Sequence, residues 1–181
     1  WDNWGKKKSI FRIFGNSSIP GIAVTSGSLG HGLGIAAGIA LSLKKNKSKR
    51  KVYVIVSEGE LYEGSTWEQL LFIAHNKLDN IKIILDRNNL IILGNTETNL
   101  KLNPIDKKFK SFNFKTKTID GHNYKQILKG LNFLEKKDGK PKILIANTVK
   151  GNSISFMKNK PEWHYFQNMS NQQIKSIKKE I

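Results

Sequence analysis

Hydrophobic positions along the chain follow two patterns, short continuous runs and helical spacing. The runs at 51–57 (KVYVIVS), 81–85 (IKIIL) and 142–148 (KILIANT) are apolar and rich in β-branched residues, which is typical of strands buried inside a sheet. A further strand is predicted at 114–119. Apolar residues three and four positions apart predict helices, which we place at 28–45, 65–77, 124–136 and 170–181.

The alternation of strands with helices predicts the fold class. It favours a three-layer α/β domain with a doubly wound, mostly parallel sheet. In such sheets ligands bind beyond the carboxyl ends of the strands, so the strand exits at 57–60, 86–90 and 148–151 are the places to search for a site. We divide the chain into an irregular basic segment, 1–19, and one domain, 20–181.

Composition changes this picture little. The net charge of +17 comes almost entirely from lysine, because only Arg12, Arg50 and Arg87 are arginines. Phosphate and base recognition favour the planar guanidinium, and the lysines are spread along the chain. We therefore interpret them as a solvated surface and expect no specific nucleic-acid partner. The absence of cysteine excludes disulfides and thiolate metal sites and suits a cytoplasmic protein. No apolar run approaches the ~18 residues of a membrane span, so we expect no membrane partner.

Polar residues at the predicted strand exits suggest a metal site. Glu58 follows the first strand and Asn88 follows the second, while Lys150 and Gly151 follow the last. A carboxylate, an amide oxygen and a backbone carbonyl are hard-oxygen ligands of the kind that Mg²⁺ shares with diphosphate oxygens and water. Taken singly, such a glutamate is more often a helix N-cap, and such an asparagine is more often a turn residue.

Four separated blocks carry a resemblance to a known family. They are PGIAVTSGSLGHGLGIAAGIAL from Pro20, SEGELYEGSTWE at 57–68, AHNKLDNIKIILDRNNL at 74–90 and ANTVKGNSISFMKNKPEWH at 146–164. In order and spacing they resemble the thiamine-diphosphate-binding domain of transketolases, from about Pro20 to the end of the chain. The resemblance implies a transferase of carbohydrate metabolism that moves a two-carbon ketol unit between sugars, usually sugar phosphates.

The resemblance also implies roles for matching residues. Glu58 and Asn88 would ligate Mg²⁺, or another divalent cation such as Ca²⁺ or Mn²⁺, through their side chains, and Leu90 through its backbone carbonyl. The residues implied to contact thiamine diphosphate are Gly27, Ser28, Leu29, Gly59, Lys150 and His164. The first three would line the aminopyrimidine ring and the others would lie at the diphosphate, with His164 also reaching the substrate as a catalytic residue. We interpret His31, His75 and His122 as structural.

The chain departs from the family in two respects. The family motif Gly-Asp-Gly reads Ser57-Glu58-Gly59 here, so the carboxylate is one methylene longer and Ser57 adds a Cβ at a tight turn. Family members also carry further sequence before the PG segment, and a next domain that supplies the glutamate that activates the cofactor; the resemblance covers neither of these. We therefore expect an N-terminal subunit of a split transketolase. Its partner would be a C-terminal subunit carrying the pyrimidine-side domain, with two copies of each in a heterotetramer.

Two other interpretations remain open. The segment Gly32-Leu33-Gly34-Ile35-Ala36-Ala37 fits the G-x-G-x-x-A pattern of an NAD-binding Rossmann domain, with Glu58 about twenty residues further on. The run before it, 22–28, is a weak strand. The other interpretation is a degenerate cofactor domain that serves as a non-catalytic scaffold, which the changes at Ser57 and Glu58 would explain.

Overall fold

The computed structural model describes residues 6–7, 9–10, 14–165 and 168–180. Much of the predicted irregular segment 1–19 lies outside the described residues, so that prediction stays a prediction. In chain order the elements are α1 (Gly32–Lys45), β1 (Val52–Ser57), α2 (Gly64–His75), β2 (Ile81–Arg87), β3 (Leu90–Ile91), β4 (Gly94–Asn95), α3 (Thr96–Asn99), α4 (Ile105–Ser111), β5 (Lys115–Asp120), α5 (Tyr124–Glu135), β6 (Lys142–Asn147) and α6 (Asn171–Glu180). One 3₁₀ turn, Gly59–Tyr62, follows β1 and another, Pro161–His164, precedes α6.

The main sheet has four parallel strands in the order β1-β2-β6-β5. Its central strands, β2 and β6, are the most buried strands of the sheet, as expected for strands with protein on both faces. β3 and β4 form a separate antiparallel hairpin directly after β2. The sheet confirms the predicted α/β class with a parallel sheet.

Helices cover both faces of the sheet. On one face α1 packs closely, because Ala36, Ala37 and Ala40 form its buried side against the larger of two hydrophobic clusters. On the other face α5 contributes Leu134 to a smaller cluster with Leu144 of β6. The result is the predicted three-layer arrangement. The loops at the amino ends and at the carboxyl ends of the strands form two opposite edges of the domain.

The predicted elements agree with the structure to within a few residues, but short ones were missed. α1 starts at Gly32, later than predicted, and β2 extends to Arg87. The pattern did not predict the β3–β4 hairpin, α3 or α4. Within the described residues, no helix is long and apolar enough to cross a membrane.

Candidate functional site at the carboxyl edge of the sheet

The three predicted strand exits lie side by side. Parallel register places Ser57 opposite Asp86 and Arg87 opposite Asn147. Beyond the last ladder pair, the Thr148 amide donates a hydrogen bond to the Arg87 carbonyl at 2.9 Å. The loops that follow β1, β2 and β6 therefore share one edge of the molecule, as the sequence predicted.

Glu58 is buried at this edge, with a relative exposure of 1%. Its Oε2 accepts hydrogen bonds from the backbone amides of Asn88, at 2.7 Å, and Asn89. Its Oε1 forms an ion pair with the Arg87 guanidinium. Burial raises the pKa of the Glu58 carboxyl, while Arg87 and the two amides oppose that rise. The carboxylate thus ties the exit of β1 to the loop after β2.

Arg87 is a residue of this site that the sequence did not reveal. It is 4% exposed, and its Nη2 donates to Glu97 Oε1 at 2.9 Å and to Asn103 Oδ1 at 3.2 Å. The guanidinium therefore lies between two carboxylates, Glu58 and Glu97. The sequence around Asp86 and Arg87 gave no signal for this role, because the side chains that bind Arg87 lie ten or more residues away along the chain.

Asn88 and Leu90 form the start of the β3–β4 hairpin. The Asn88 Oδ1 accepts a hydrogen bond from the Leu90 amide at 2.9 Å, which is an Asx turn that fixes the side chain beside the loop backbone. Asn89 between them has a φ of +62° and directs the chain into β3. An amide oxygen and a backbone carbonyl are thus held two residues apart beside Glu58.

This donor set fits a divalent cation in part. Among the described residues there is no cluster of three or more His, Asp or Glu side chains for a metal, so an ion here would rely on one carboxylate, one amide and one carbonyl. Mg²⁺ accepts such a set because it keeps water and diphosphate oxygens as further ligands. Both Glu58 oxygens are engaged, however, so an ion bound at Oε1 would compete with the Arg87 guanidinium.

The backbone at Gly59 borders open space. A Cβ placed on Gly59 would lie 3.7 Å from Leu29 Cδ1, 3.7 Å from Ser57 Oγ and 3.9 Å from Ile91 Cγ2. These are ordinary contact distances, so the protein itself does not require glycine here. The three side chains instead frame a cradle that a Cβ would begin to fill, which suits the close approach of a diphosphate to the backbone.

Gly27, Ser28 and Leu29 line a large cleft next to this cradle. The cleft has a volume of about 590 Å³, and His31 and Glu60 also line it. Its walls include exposed apolar side chains, which is the character of a site for an organic ring rather than for an ion alone.

Glu60 holds the cleft loop against the exit of β1. Its Oε2 accepts from the Ser57 amide at 2.9 Å and its Oε1 from the Gly30 amide at 3.4 Å. Gly30 has a φ of +76°, and a Cβ there would lie 2.5 Å from Ser65 Oγ, so only glycine lets this loop pack on α2. The Ser57 side chain is exposed, which explains why the turn tolerates a serine.

Lys150 and His164 lie near each other on the third exit. Burial and the neighbouring Lys150 charge lower the pKa of His164, which favours a neutral imidazole at pH 7. The intervening chain turns sharply at Gly151, where φ is +65° and a Cβ would lie 2.6 Å from the Met157 carbonyl oxygen. His122 supports this loop, since its Nε2 accepts a hydrogen bond from the Val149 amide at 2.8 Å.

The geometry excludes the dinucleotide interpretation. A Rossmann fingerprint requires a strand directly before its glycine-rich turn. In the described part of the chain no strand precedes α1, and Gly32 and Gly34 lie inside that helix. A Cβ on Gly34 would lie 2.9 Å from the Gln69 side chain, so this glycine serves helix packing.

A parallel α/β sheet with polar strand exits at its carboxyl edge, and with an apolar cleft that extends from there along β1, is typical of a cofactor-binding domain. Residues 15–181 match the family model described as "Transketolase, thiamine diphosphate binding domain". The chain therefore belongs to this family, which confirms the resemblance of its four sequence blocks.

Individual relatives agree with this assignment. The chain is 44% identical over 146 residues to one of the subunits of apulose-4-phosphate transketolase from Actinobacillus succinogenes, covering 81% of this chain and 52% of that protein. It is 34% identical over 144 residues to the 6-deoxy-6-sulfo-D-fructose transketolase subunit SqwG of a Clostridium species, covering 80% and 52%. The chain thus spans about half the length of these curated relatives.

A solved structure shows the same fold. The crystal structure of transketolase from Campylobacter jejuni superposes with a TM-score of 0.90 at 27% identity, covering 98% of this chain and 29% of that chain. The described domain therefore corresponds to a part of that much longer protein.

Proposed function

We propose that this chain anchors thiamine diphosphate and a divalent cation at the carboxyl edge of its sheet. In this proposal it works as the N-terminal subunit of a transketolase-type transferase. The proposal rests on the contact between two strand exits at Glu58. There one carboxylate accepts hydrogen bonds from backbone amides of the loop that holds Asn88 and Leu90. Residues 20–181 act as the cofactor-binding unit.

The proposed metal ligands are Asn88 Oδ1, the Leu90 carbonyl and the Glu58 carboxylate. Arg87 has Glu97 and Asn103 as further partners, so it stays paired if an ion takes its place at Glu58. Mg²⁺ suits hard-oxygen ligands, and the longer glutamate makes Ca²⁺ and Mn²⁺ alternatives.

The proposed cofactor contacts follow the shape of the edge. The diphosphate lies in the cradle at Gly59, within reach of Lys150, and the aminopyrimidine ring lies in the cleft beside Gly27, Ser28 and Leu29. When bound, thiamine diphosphate supplies a carbanion that carries the two-carbon unit. His164, with its lowered pKa, is proposed to hydrogen-bond the substrate as a neutral imidazole.

Substrate and partner are proposed from the relatives. Two of them are named as transketolase subunits with different sugar substrates, apulose 4-phosphate and 6-deoxy-6-sulfo-D-fructose, so we propose ketol transfer between sugars, with sugar phosphates as the class. Their names as subunits support a separate partner chain. We propose that this partner is a C-terminal subunit and that two copies of each chain form a heterotetramer. The cytoplasmic location stays a prediction.

Calorimetric titration of the chain with thiamine diphosphate tests the proposal. We expect binding in the presence of Mg²⁺ and its loss in excess EDTA. Asn88→Ala should weaken binding at least about tenfold, because even the outer partners of metal ligands contribute that much. Asn132→Ala, at an exposed position of α5, is the matched control and should bind as wild type does. A non-catalytic scaffold would bind neither ion nor cofactor, and that result would refute the proposal.

A further inference from the structure

A second recess lies at the opposite edge of the sheet, at the amino ends of the strands. It has a volume of about 290 Å³. Its walls come from the loops that precede β1 and β2, and from the end of α5. The lining residues are Lys44, Lys47, Ser48, Lys49, Arg50, Lys51, Asp79, Asn80, Lys82, Glu135 and Lys137. In parallel sheets ligands bind beyond the carboxyl ends of the strands, so the fold alone does not predict a ligand site at this opposite edge.

The recess carries a strong excess of positive charge. Seven of its lining side chains are cationic and two, Asp79 and Glu135, are acidic. The lysines are spread along the sequence, which favoured a solvated surface, but the fold brings several distant ones together here. A concave surface concentrates the potential of such a group more than a flat one does.

Some of these cations already have partners. Lys44 Nζ donates to the carbonyls of Asn76, at 3.0 Å, and Lys77, at 2.6 Å, just beyond the end of α2. Lys51 forms an ion pair with Glu135. Such contacts are explained by the negative ends of helices and by ordinary surface pairing, and they need no ligand.

The remaining cations are in surplus. Lys47, Lys49, Arg50 and Lys137 line the recess, and in the described part of the chain their side chains form no hydrogen bond and no ion pair. Helix ends and neighbouring carboxylates therefore do not account for them. Four unpaired cations around one concavity repel one another, and an anion between them would reduce that repulsion.

Lys82 adds a buried charge to the recess. It is 3% exposed, and its Nζ donates to the carbonyls of Asp79, at 2.8 Å, and Leu134, at 2.5 Å. An ammonium has three donors, and within the described ranges no carboxylate pairs with this one. Burial lowers its pKa, as do the charges of Lys142 and Lys51, while the carboxylates of Asp79 and Asp138 oppose this change. A buried cation without a counter-ion is costly, and an anion in the recess would relieve that cost.

From this geometry we infer that the recess binds a small phosphate-bearing anion. Among the described residues no aromatic side chain lines it, so it offers no stacking surface for a base. Its volume of about 290 Å³ is close to the lower limit of small-molecule sites. A phosphate or a phosphorylated small molecule, held by the unpaired ammonium and guanidinium groups, satisfies both the size and the charge of the recess. This site is separate from the cofactor edge and does not depend on the proposed function.

Binding of inorganic phosphate and of glycerol 3-phosphate to the full chain tests the inference. Both probes are titrated in a chloride buffer and followed by amide chemical shifts in NMR. We expect the amides at 46–51 and 79–82 to move with either probe. The double variant Lys49→Gln/Arg50→Gln alters two solvent-accessible side chains and should weaken binding about tenfold or more, the loss typical of a charged hydrogen-bond donor. Tighter binding of glycerol 3-phosphate than of phosphate would identify a phosphorylated metabolite as the ligand, and equal binding would identify phosphate itself.

Two control variants make the test specific. Lys117→Gln/Lys125→Gln removes the same charge elsewhere on the chain, and Lys150→Gln removes a cation of the cofactor edge. In both variants the probes should still move the amide signals at 46–51 as they do in the wild type. The inference is overturned if neither probe moves these amides at millimolar concentration, or if Lys150→Gln abolishes binding. It is also overturned if both double variants weaken binding equally, or if a single-stranded oligonucleotide binds the recess more tightly than either probe.

Discussion

At the scale of single residues, the position that matters most is Glu58. The side chain is one methylene longer than the aspartate of the family motif, and the structure shows where the extra length goes. The carboxylate is folded back over the loop after β2, between the Asn88 amide and the Arg87 guanidinium. A buried ion pair of this kind organises a loop more than it stabilises a fold, because each charge has lost its hydration.

Removing one partner of that pair should be severe. Arg87→Met leaves Glu58 buried without its cation, and we expect the free energy of unfolding to fall by roughly 3–5 kcal/mol. Urea unfolding followed by circular dichroism measures this change. Lys110→Met is the control, because its ion pair with Asp106 lies on the surface and should contribute little. Equal unfolding midpoints for the two variants would contradict the buried pair.

The sequence predicted some residues of the site and not others. Glu58, Asn88 and Lys150 follow apolar runs directly, so their place at one edge follows from a parallel sheet. Arg87 gave no such signal, because its partner Glu97 lies in α3, a four-residue helix that is too short to be predicted from a hydrophobic period. Side-chain pairing across loops depends on tertiary packing, which a local pattern does not contain.

At the scale of elements, small residues decide how closely the layers approach. α5 crosses β6 at Gly130, where a Cβ would lie 2.8 Å from both Leu144 methyl carbons and 3.3 Å from Ile119 Cδ1. Leu144 is itself buried and has little room to move. The glycine is therefore a packing requirement, although it lowers the intrinsic helix propensity of α5.

Two helical glycines should respond oppositely to alanine. Gly130→Ala forces a methyl group into Leu144, and overpacking of this kind destabilises by roughly 1–3 kcal/mol. Gly38 in α1 is exposed and has no atom within 4 Å of a built Cβ, so Gly38→Ala should stabilise by up to about 1 kcal/mol. Thermal unfolding of both variants measures the two signs. A loss of stability in Gly38→Ala, or a gain in Gly130→Ala, would show that the layers pack differently.

Long elements were predictable and short ones were not. The strands of the main sheet and the helices α1, α2 and α5 each have enough residues for a hydrophobic period to appear. The β3–β4 hairpin has two residues in each strand, and α4 has seven in all. These short elements form because the chain between β2 and β5 packs over the sheet. That packing exists only once the sheet has formed, so a local pattern does not predict it.

At the scale of the whole molecule, the two ends of the sheet differ in character. The carboxyl edge combines one buried carboxylate and an amide, and it adjoins an apolar cleft that extends along β1, which suits a ring-bearing diphosphate with a metal. The amino edge is a lysine-rich recess whose described lining contains no aromatic side chain, which suits a small anion. The parallel sheet separates these edges, so each can be altered by mutation without disturbing the other.

A crystal structure of the chain with thiamine diphosphate and Mn²⁺ tests the central claim most directly, because Mn²⁺ gives an anomalous signal that locates the ion. The account predicts one strong peak within coordination distance of Asn88 Oδ1 and the Leu90 carbonyl, with the diphosphate lying over Gly59. A cofactor bound elsewhere, or an ion that contacts neither Asn88 nor Leu90, would contradict it.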